Sequence, residues 1–242
     1  MAVLWNAPMM PHLQQNTSHI VLTAEEASWM TSVPPLVGIA PNFFTGWLVQ
    51  LAGPRRLLLA TALPFLLASL WQPFATTFGE LLATAVIWGL GIGILIPDST
   101  SHCSVSPQYQ VEIAEDRVRG LMISMGMVMM GIGGILMTSI APYVDFFTLC
   151  EIMLAVPALF VVTFWWMPES PYYLVSKGRT EEATEALMRL RGKGSAKEVE
   201  DELQQILRSA EQLHQKSGSG IAEAFQRLRR SAAAGRALLV RI

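Results

Sequence analysis

No lysine or arginine occurs in the first 54 residues, although the 242-residue chain carries 17 of them, beginning at Arg55. Charge of either sign is scarce: 15% of residues are charged against 52% hydrophobic. That balance excludes a disordered, solvated chain and differs from an ordinary soluble domain. A net charge of -2 leaves no basic footprint for nucleic acid. Cysteine is limited to Cys103 and Cys150, too few for a disulfide framework. The four histidines show no metal-ligand spacing, and no nucleophile stands at a fixed step from a base. Nothing here points to an enzyme, a metal or a cofactor.

What is present is a set of long apolar runs without charge. Ala27 to Pro54, Leu57 to Gly79, Leu81 to Pro97, Gly120 to Val144 and Ile152 to Pro168 contain no Asp, Glu, Lys or Arg. The last run starts earlier, near Phe147, if Glu151 sits at a water interface. Each is close to or above the roughly 18–20 residues that cross about 30 Å of hydrocarbon as a helix. The chain therefore reads as an all-α membrane protein with five spans. Basic residues fall only in alternate gaps: Arg55 and Arg56, then Arg117 and Arg119, then everything after Pro168. The intervening gaps hold Glu80 and Asp145. Because cytoplasmic loops collect Lys and Arg, this places the N-terminal segment outside the cell membrane and the C-terminal region in the cytoplasm. On that topology Cys103 and Cys150 lie at opposite faces and cannot pair.

Four segments follow. Residues 1–29 read as the end of a further span and an extracellular loop, 30–168 as the helical bundle, 169–236 as a cytoplasmic helical region and 237–242 as the start of another span. Asn16-Thr17-Ser18 is a glycosylation sequon in the outside segment. In the cytoplasmic region, Thr180 with Glu181 and Glu182 predicts a helix N-cap, and Gly192 and Gly194 its end. Ser195 and Glu198 have capping-box spacing for a second helix. Ser217 to Gly220 reads as a flexible break before a basic helix carrying Arg227, Arg229 and Arg230.

Gly89-Leu90-Gly91-Ile92-Gly93 is no dinucleotide fingerprint, because it lies inside a span rather than after a soluble strand. Gly89 and Gly93 instead have the small-xxx-small spacing that lets membrane helices approach closely, and Gly131 with Gly134 reads similarly. Polar side chains deep within the spans are few, among them Asn42, Thr45, Thr61, Ser69, Gln72, Thr84, Ser124 and Thr138. The lack of an acid or base deep in the bilayer favours a passive carrier over an ion-driven one. At the cytoplasmic helix ends, Arg55, Arg56, Glu112, Arg119 and Glu169 form a set of opposite charges. They read either as solvated loop charge or as a latch holding helix ends together in one state.

Pro168-Glu169-Ser170-Pro171-Tyr172-Tyr173-Leu174, Gly178-Arg179 and Leu187, Leu190, Arg191, Gly192 resemble the segment after the sixth span of sugar porters in the major facilitator superfamily. Tyr109, Glu112, Ile113, Ala114, Arg119 and Gly120 resemble the same family's link between its fourth and fifth spans. Asn6-Ala7-Pro8 resembles the outer end of its first span, and Glu25, Glu26, Ser28 and Trp29 resemble insect trehalose-transporter-like members. The resemblance implies the N-terminal six-helix half of a twelve-span carrier, shortened at both ends, with intracellular helices. Its partners would be a small-molecule sugar, the lipid bilayer and the missing C-terminal half.

The resemblance further implies a cytoplasmic gate at Glu112, Arg119, Glu169, Arg55 and Arg56, and a solute path lined by Asn6, Met127, Met130, Gly131 and Gly134. The sequence departs from the family in places. Gln50 to Arg55 lacks the family's acid and first arginine, Ala85 stands for a span-four arginine, and Met127 for a span-five glutamine. Pro97 to Ser104 interrupts span four like an insertion. Facilitative transport of trehalose or a hexose by alternating access is the expectation. The alternative is a non-transporting half that serves as a membrane interaction partner.

Overall fold

The computed structural model describes residues 22–95, 105–115, 117–193 and 195–212. They divide into two compact units that meet between Tyr173 and Leu174. In the first unit the chain forms α1 (Ala24–Ala52), α2 (Pro54–Trp71), α3 (Phe78–Leu95), α4 (Val105–Ile113), α5 (Arg119–Ile140) and α6 (Phe146–Phe164). α7 (Pro171–Ser176) runs across the boundary. Tight 3-10 turns prolong α2 through Gln72–Phe74 and α5 through Ala141–Tyr143. The called positions Asn6, Asn16, Cys103, 97–104, the basic helix after Gly220 and residues 237–242 lie outside the described residues.

All five expected spans are helices, and their ends shift for local reasons. α1 starts at Ala24 because Thr23 and Glu26 form a capping box: the Glu26 N–H donates to Thr23 Oγ1 at 3.3 Å and the Thr23 N–H to Glu26 Oε2 at 2.9 Å. α2 starts at Pro54, whose fixed φ and missing N–H suit a first helical position. α6 stops at Phe164, four residues before Pro168, which disfavours helical backbone just ahead of it. α2, α3, α5 and α6 are long and apolar enough to cross a membrane. α1 is longer, at 29 residues, but Pro34, Pro35, Pro41 and Asn42 keep its apolarity below theirs.

The closest packing is between α1 and α3. A Cβ added at Gly93 would lie 2.1 Å from the Gly38 carbonyl oxygen, and one at Gly89 would lie 2.6 Å from that of Pro34. The two backbones thus touch through a Pro34-xxx-Gly38 step on one helix and a Gly89-xxx-Gly93 step on the other, the close approach that the spacing predicts. Gly91 does a different job: it leaves room for Phe65 of α2, whose ring would be 2.8 Å from an added Cβ. Phe65 in turn meets the buried Trp88 edge to face at 4.9 Å. Around this pair Met30, Ala68, Leu81, Ala85, Met137, Leu149 and Met153 complete one buried cluster.

α5 packs far less. Gly131 does not repeat the seam: an added Cβ there meets nothing within 4 Å, which corrects the expectation for that residue. Gly133, Gly134 and Met137 are its buried positions. Leu121, Met127, Val128, Met129 and Ile135 are each more than half exposed. Several threonines in the spans turn back on their own helices, whereas the buried Ser69 and Gln72 side chains find no partner among the described residues. Thr45, Thr61, Thr84 and Thr138 donate to the carbonyls of Pro41, Leu58, Leu81 and Gly134, which satisfies a hydroxyl without a neighbour.

In the second unit, α8 (Thr180–Arg191) ends at Gly192, whose φ of 61° gives a left-handed stop. Its N-cap is Arg179 rather than Thr180, with no side-chain cap bond. Arg179 instead holds Glu182 through Nε and Nη2. Ser195 likewise gives no side-chain cap; a 3-10 turn, Ala196–Glu198, precedes a helix over residues 200–212. Ala183, Leu187, Val199 and Ile206 are buried. Arg191 donates to both oxygens of Glu202 at 3.0 and 2.6 Å.

Candidate functional site where the helix ends meet

Gly53 joins α1 to α2 with φ 89° and ψ 151°, a region open essentially to glycine alone. The turn exposes the first N–H groups of α2, which have no partner within their helix. One of them finds a carboxylate. The Arg55 N–H donates to Glu169 Oε1 at 2.9 Å, so an acid 114 residues away caps this helix, where the helix dipole favours negative charge. The same oxygen accepts from the Ser170 N–H at 3.3 Å. Gly53 is needed here twice over, because an added Cβ would lie 2.9 Å from the Tyr173 ring and 3.0 Å from Glu169 Oε2.

Further bonds tie the segment after α6 to its neighbours. The Arg55 guanidinium donates through Nη2 to the Trp165 carbonyl. Tyr109 of α4 donates to the Pro168 carbonyl at 2.7 Å, and its ring stands edge to face with Phe164 at 5.3 Å. Tyr173 donates to the Leu51 carbonyl at 3.2 Å. Burial, reinforced by the nearby Glu169, pushes the Tyr109 hydroxyl up to about 12, so it stays a donor at any physiological pH. Residues 165–173 are thereby strapped to the ends of α1, α2 and α4.

The called charges therefore meet unevenly. Arg55 and Glu169 are together, but the carboxylate holds the main chain and the guanidinium holds a carbonyl. Glu112 does not hydrogen-bond Arg119. Its Oε1 accepts from Gln108 Nε2 at 2.9 Å, and its buried Oε2 has no hydrogen-bond partner. α4 ends at Ile113, and the chain then turns so that Arg119 Nε donates to the Val111 carbonyl at 3.2 Å. Arg56 is exposed. Burial raises the Glu112 carboxyl above its ordinary range; the hydrogen bond from Gln108 opposes this, and the nearby Glu169 adds to it.

Of the expected path residues, Met127 and Met130 are 65% and 42% exposed on α5, Gly131 faces open space and Gly134 is buried. Gly53, Gln108, Ser170 and Tyr173 were not among the expected site residues. The Gly53-Pro54 dipeptide was the available signal for the first, since it marks a turn before a helix start. The Tyr173 bond to Leu51 depends on tertiary placement, whereas Ser170 ahead of Pro171 has the local signature of an N-cap, its Oγ accepting from the Tyr173 N–H at 3.3 Å.

The sequence profile of the "Sugar (and other) transporter" family matches residues 3–240. The chain belongs to that family. Among curated relatives, the facilitated trehalose transporter Tret1 of Drosophila pseudoobscura pseudoobscura is 34% identical over 199 residues, 81% of this chain and 21% of the relative. Tret1 of Polypedilum vanderplanki is 33% identical over 213 residues, 86% of this chain and 40% of its own. The chain thus spans between about a fifth and two fifths of those relatives. Among solved structures, the major facilitator superfamily proton:xylose symporter XylE bound to 6-bromo-6-deoxy-D-glucose superposes with a TM-score of 0.68 at 19% identity, covering 90% of this chain and 52% of that one. The inward-open XylE from E. coli gives 0.65 at 19% identity, covering 87% and 54%. The fold of this sugar transporter family member matches about half of the fold of those symporters, and four of its helices are long and apolar enough to cross a membrane.

Proposed function

We propose that this chain is the N-terminal half of a facilitative sugar carrier in the cell membrane, moving trehalose or a hexose by alternating access together with a C-terminal half. The observation that carries the reading is the family match from residue 3 to 240 together with 33–34% identity to trehalose transporters. In carriers of this architecture two halves rock about a central site, so each half must hold together as a rigid body. The α1–α3 seam supplies that rigidity. Arg55, Glu112, Arg119 and Glu169, with exposed Arg56 beside them, serve as the cytoplasmic gate, and the outward positions Met127, Met130 and Gly131, with Gly134 and Asn6, line the path. The loop carrying Asn16 faces outside and accepts a glycan, and the region after Pro168 is cytoplasmic, as the alternation of basic residues supports. The comparisons give no support to the alternative of a non-transporting interaction partner.

Proteoliposomes containing the full-length gene product are expected to take up labelled trehalose or glucose saturably, without a proton gradient. Absence of saturable uptake for every sugar tried sinks the reading, and uptake only under a proton gradient removes the facilitative part of it.

A further inference from the structure

Two buried polar side chains stand where α2 ends. Gln72 Oε1 and Nε2 and Ser69 Oγ have no hydrogen-bond partner among the described residues, and both residues are 1% exposed. Three positions apart, they share one helical face. The Phe65–Trp88 contact fixes what that face meets. The connection between α2 and α3 lies midway between these two residues, so the helices run antiparallel from that pair toward the turn. In this register Ser69 comes level with Thr84, and Gln72 with Leu81. Thr84 is as deeply buried, and its hydroxyl donates to the Leu81 carbonyl at 2.7 Å, which leaves its oxygen able to accept. Ala68 and Ala85 stand at the same level, fully buried and small. α6, which also packs against α2 and the Gln72–Phe74 turn, brings Leu149, Cys150 and Met153 to this cluster, and none of them matches an amide in hydrogen bonding.

We propose that Ser69, Gln72 and Thr84 form a binding site for internal water that joins α2 to α3. A buried amide and hydroxyl left unpaired are costly, and a bound water removes that cost where several polar groups converge. The ligand must be neutral and must both donate and accept. Gln72 Nε2 turns a cation away, and no cationic side chain stands in this cluster to hold an anion; Glu80, the charge nearest in sequence, accepts from the Thr76 and Thr77 N–H groups instead. Water fits: it accepts from Gln72 Nε2 or the Ser69 hydroxyl and donates to Gln72 Oε1 or Thr84 Oγ1. The burial of these groups closes the site to a solute the size of a sugar. The water thus pins α2 to α3 beyond the Phe65–Trp88 contact, inside the rigid part of the bundle.

The test is hydroxyl-radical labelling of the purified full-length protein in lipid by a short X-ray pulse, read by peptide mass spectrometry. Radicals made from an ordered water modify neighbours that bulk solvent does not reach. Leu81, which is fully buried, should be labelled in the parent and several-fold less in the Ser69→Ala, Gln72→Leu double variant, while the exposed Tyr143 is labelled equally in both. Thermal midpoints of the two single variants and the double should be non-additive, because groups that share one water lose it together. An unlabelled Leu81 in the parent, labelling that the double variant leaves unchanged, or additive midpoints would each overturn the proposal. The measurements follow water within this chain rather than movement of any cargo, so their failure is distinct from a failure of sugar uptake.

Discussion

α3 and α5 are both glycine-rich apolar helices of the same bundle, yet Gly89, Gly91 and Gly93 of the one and Gly120, Gly126 and Gly131 of the other do opposite things. In α3, Gly89 and Gly93 bring the backbone onto Pro34 and Gly38, and Gly91 admits Phe65. In α5, Gly131 faces open space, Gly120 has nothing within 4 Å of an added Cβ, and Gly126 meets only the end of Gln110. The difference shows that a glycine's spacing states what a helix is able to do, whereas the partner decides whether it does so. α1 offers α3 a small residue and a proline at matching heights. α5 makes no such contact at Gly120, Gly126 or Gly131, and several of its long side chains stand outward. One helix is a fixed part of a rigid body and the other presents a surface.

The largest expected effect tests the closed side of that contrast. Gly93→Ala places a methyl group 2.1 Å from the Gly38 carbonyl oxygen, and two backbones cannot yield as a flexible side chain would. Overpacking of this kind costs about 1–3 kcal/mol or more. The variant should lose several degrees of thermal midpoint in detergent or fail to accumulate. A Gly93→Ala protein that melts with the parent would mean that the seam is looser than described.

Gly53→Ala should come next, and it separates conformation from contact. Alanine at φ 89° and ψ 151° carries backbone strain of about 1–3 kcal/mol, and its Cβ also meets Tyr173 and Glu169. Glu169→Ala leaves Gly53 unstrained but removes the cap from α2, worth about 1 kcal/mol for a carboxylate at a helix N-terminus. The order expected in thermal melts is therefore Gly53→Ala below Glu169→Ala below the parent. Proteolysis in the segment after α6 should quicken in both, because that segment is strapped through the same bonds. Equal melting of the two variants would assign the whole effect to the lost cap.

Much of this architecture was legible in the residues, and the reason is the solvent. A bilayer forces each span to be long, apolar and helical, so charge-free runs located all five helices, and Gly89 with Gly93 announced the seam. Ends were less legible: Pro54 and Pro168 moved them by the fixed φ and the restriction that proline imposes. Arg55 and Glu169 were expected in one set of gate charges without a stated pairing, and the carboxylate took the main-chain N–H that a helix start leaves open. Glu112 and Arg119 stand seven residues apart in a segment that resembles the family's link, yet the chain turns between α4 and α5, and spacing across a turn fixes no distance. Tyr109 and Tyr173 stand in segments that resemble the family, but they reach backbone carbonyls, which every residue possesses, so no pattern in the sequence names their partners.

The smallest expected effect tests the open side. Gly131→Ala adds a methyl group where nothing lies within 4 Å, so no clash opposes it. Alanine is the better helix former by about 1 kcal/mol in water, and it also narrows the unfolded ensemble. The variant should accumulate like the parent and melt at the same temperature or slightly above it. If the same methyl lowers the midpoint as Gly93→Ala does, Gly131 has a close neighbour in the assembled carrier, and the contrast between the two helices belongs to this chain alone rather than to the whole transporter. If stability holds while sugar uptake falls, the added carbon narrows a route for solute along α5, which is where Met127, Met130 and Gly131 were expected to lie.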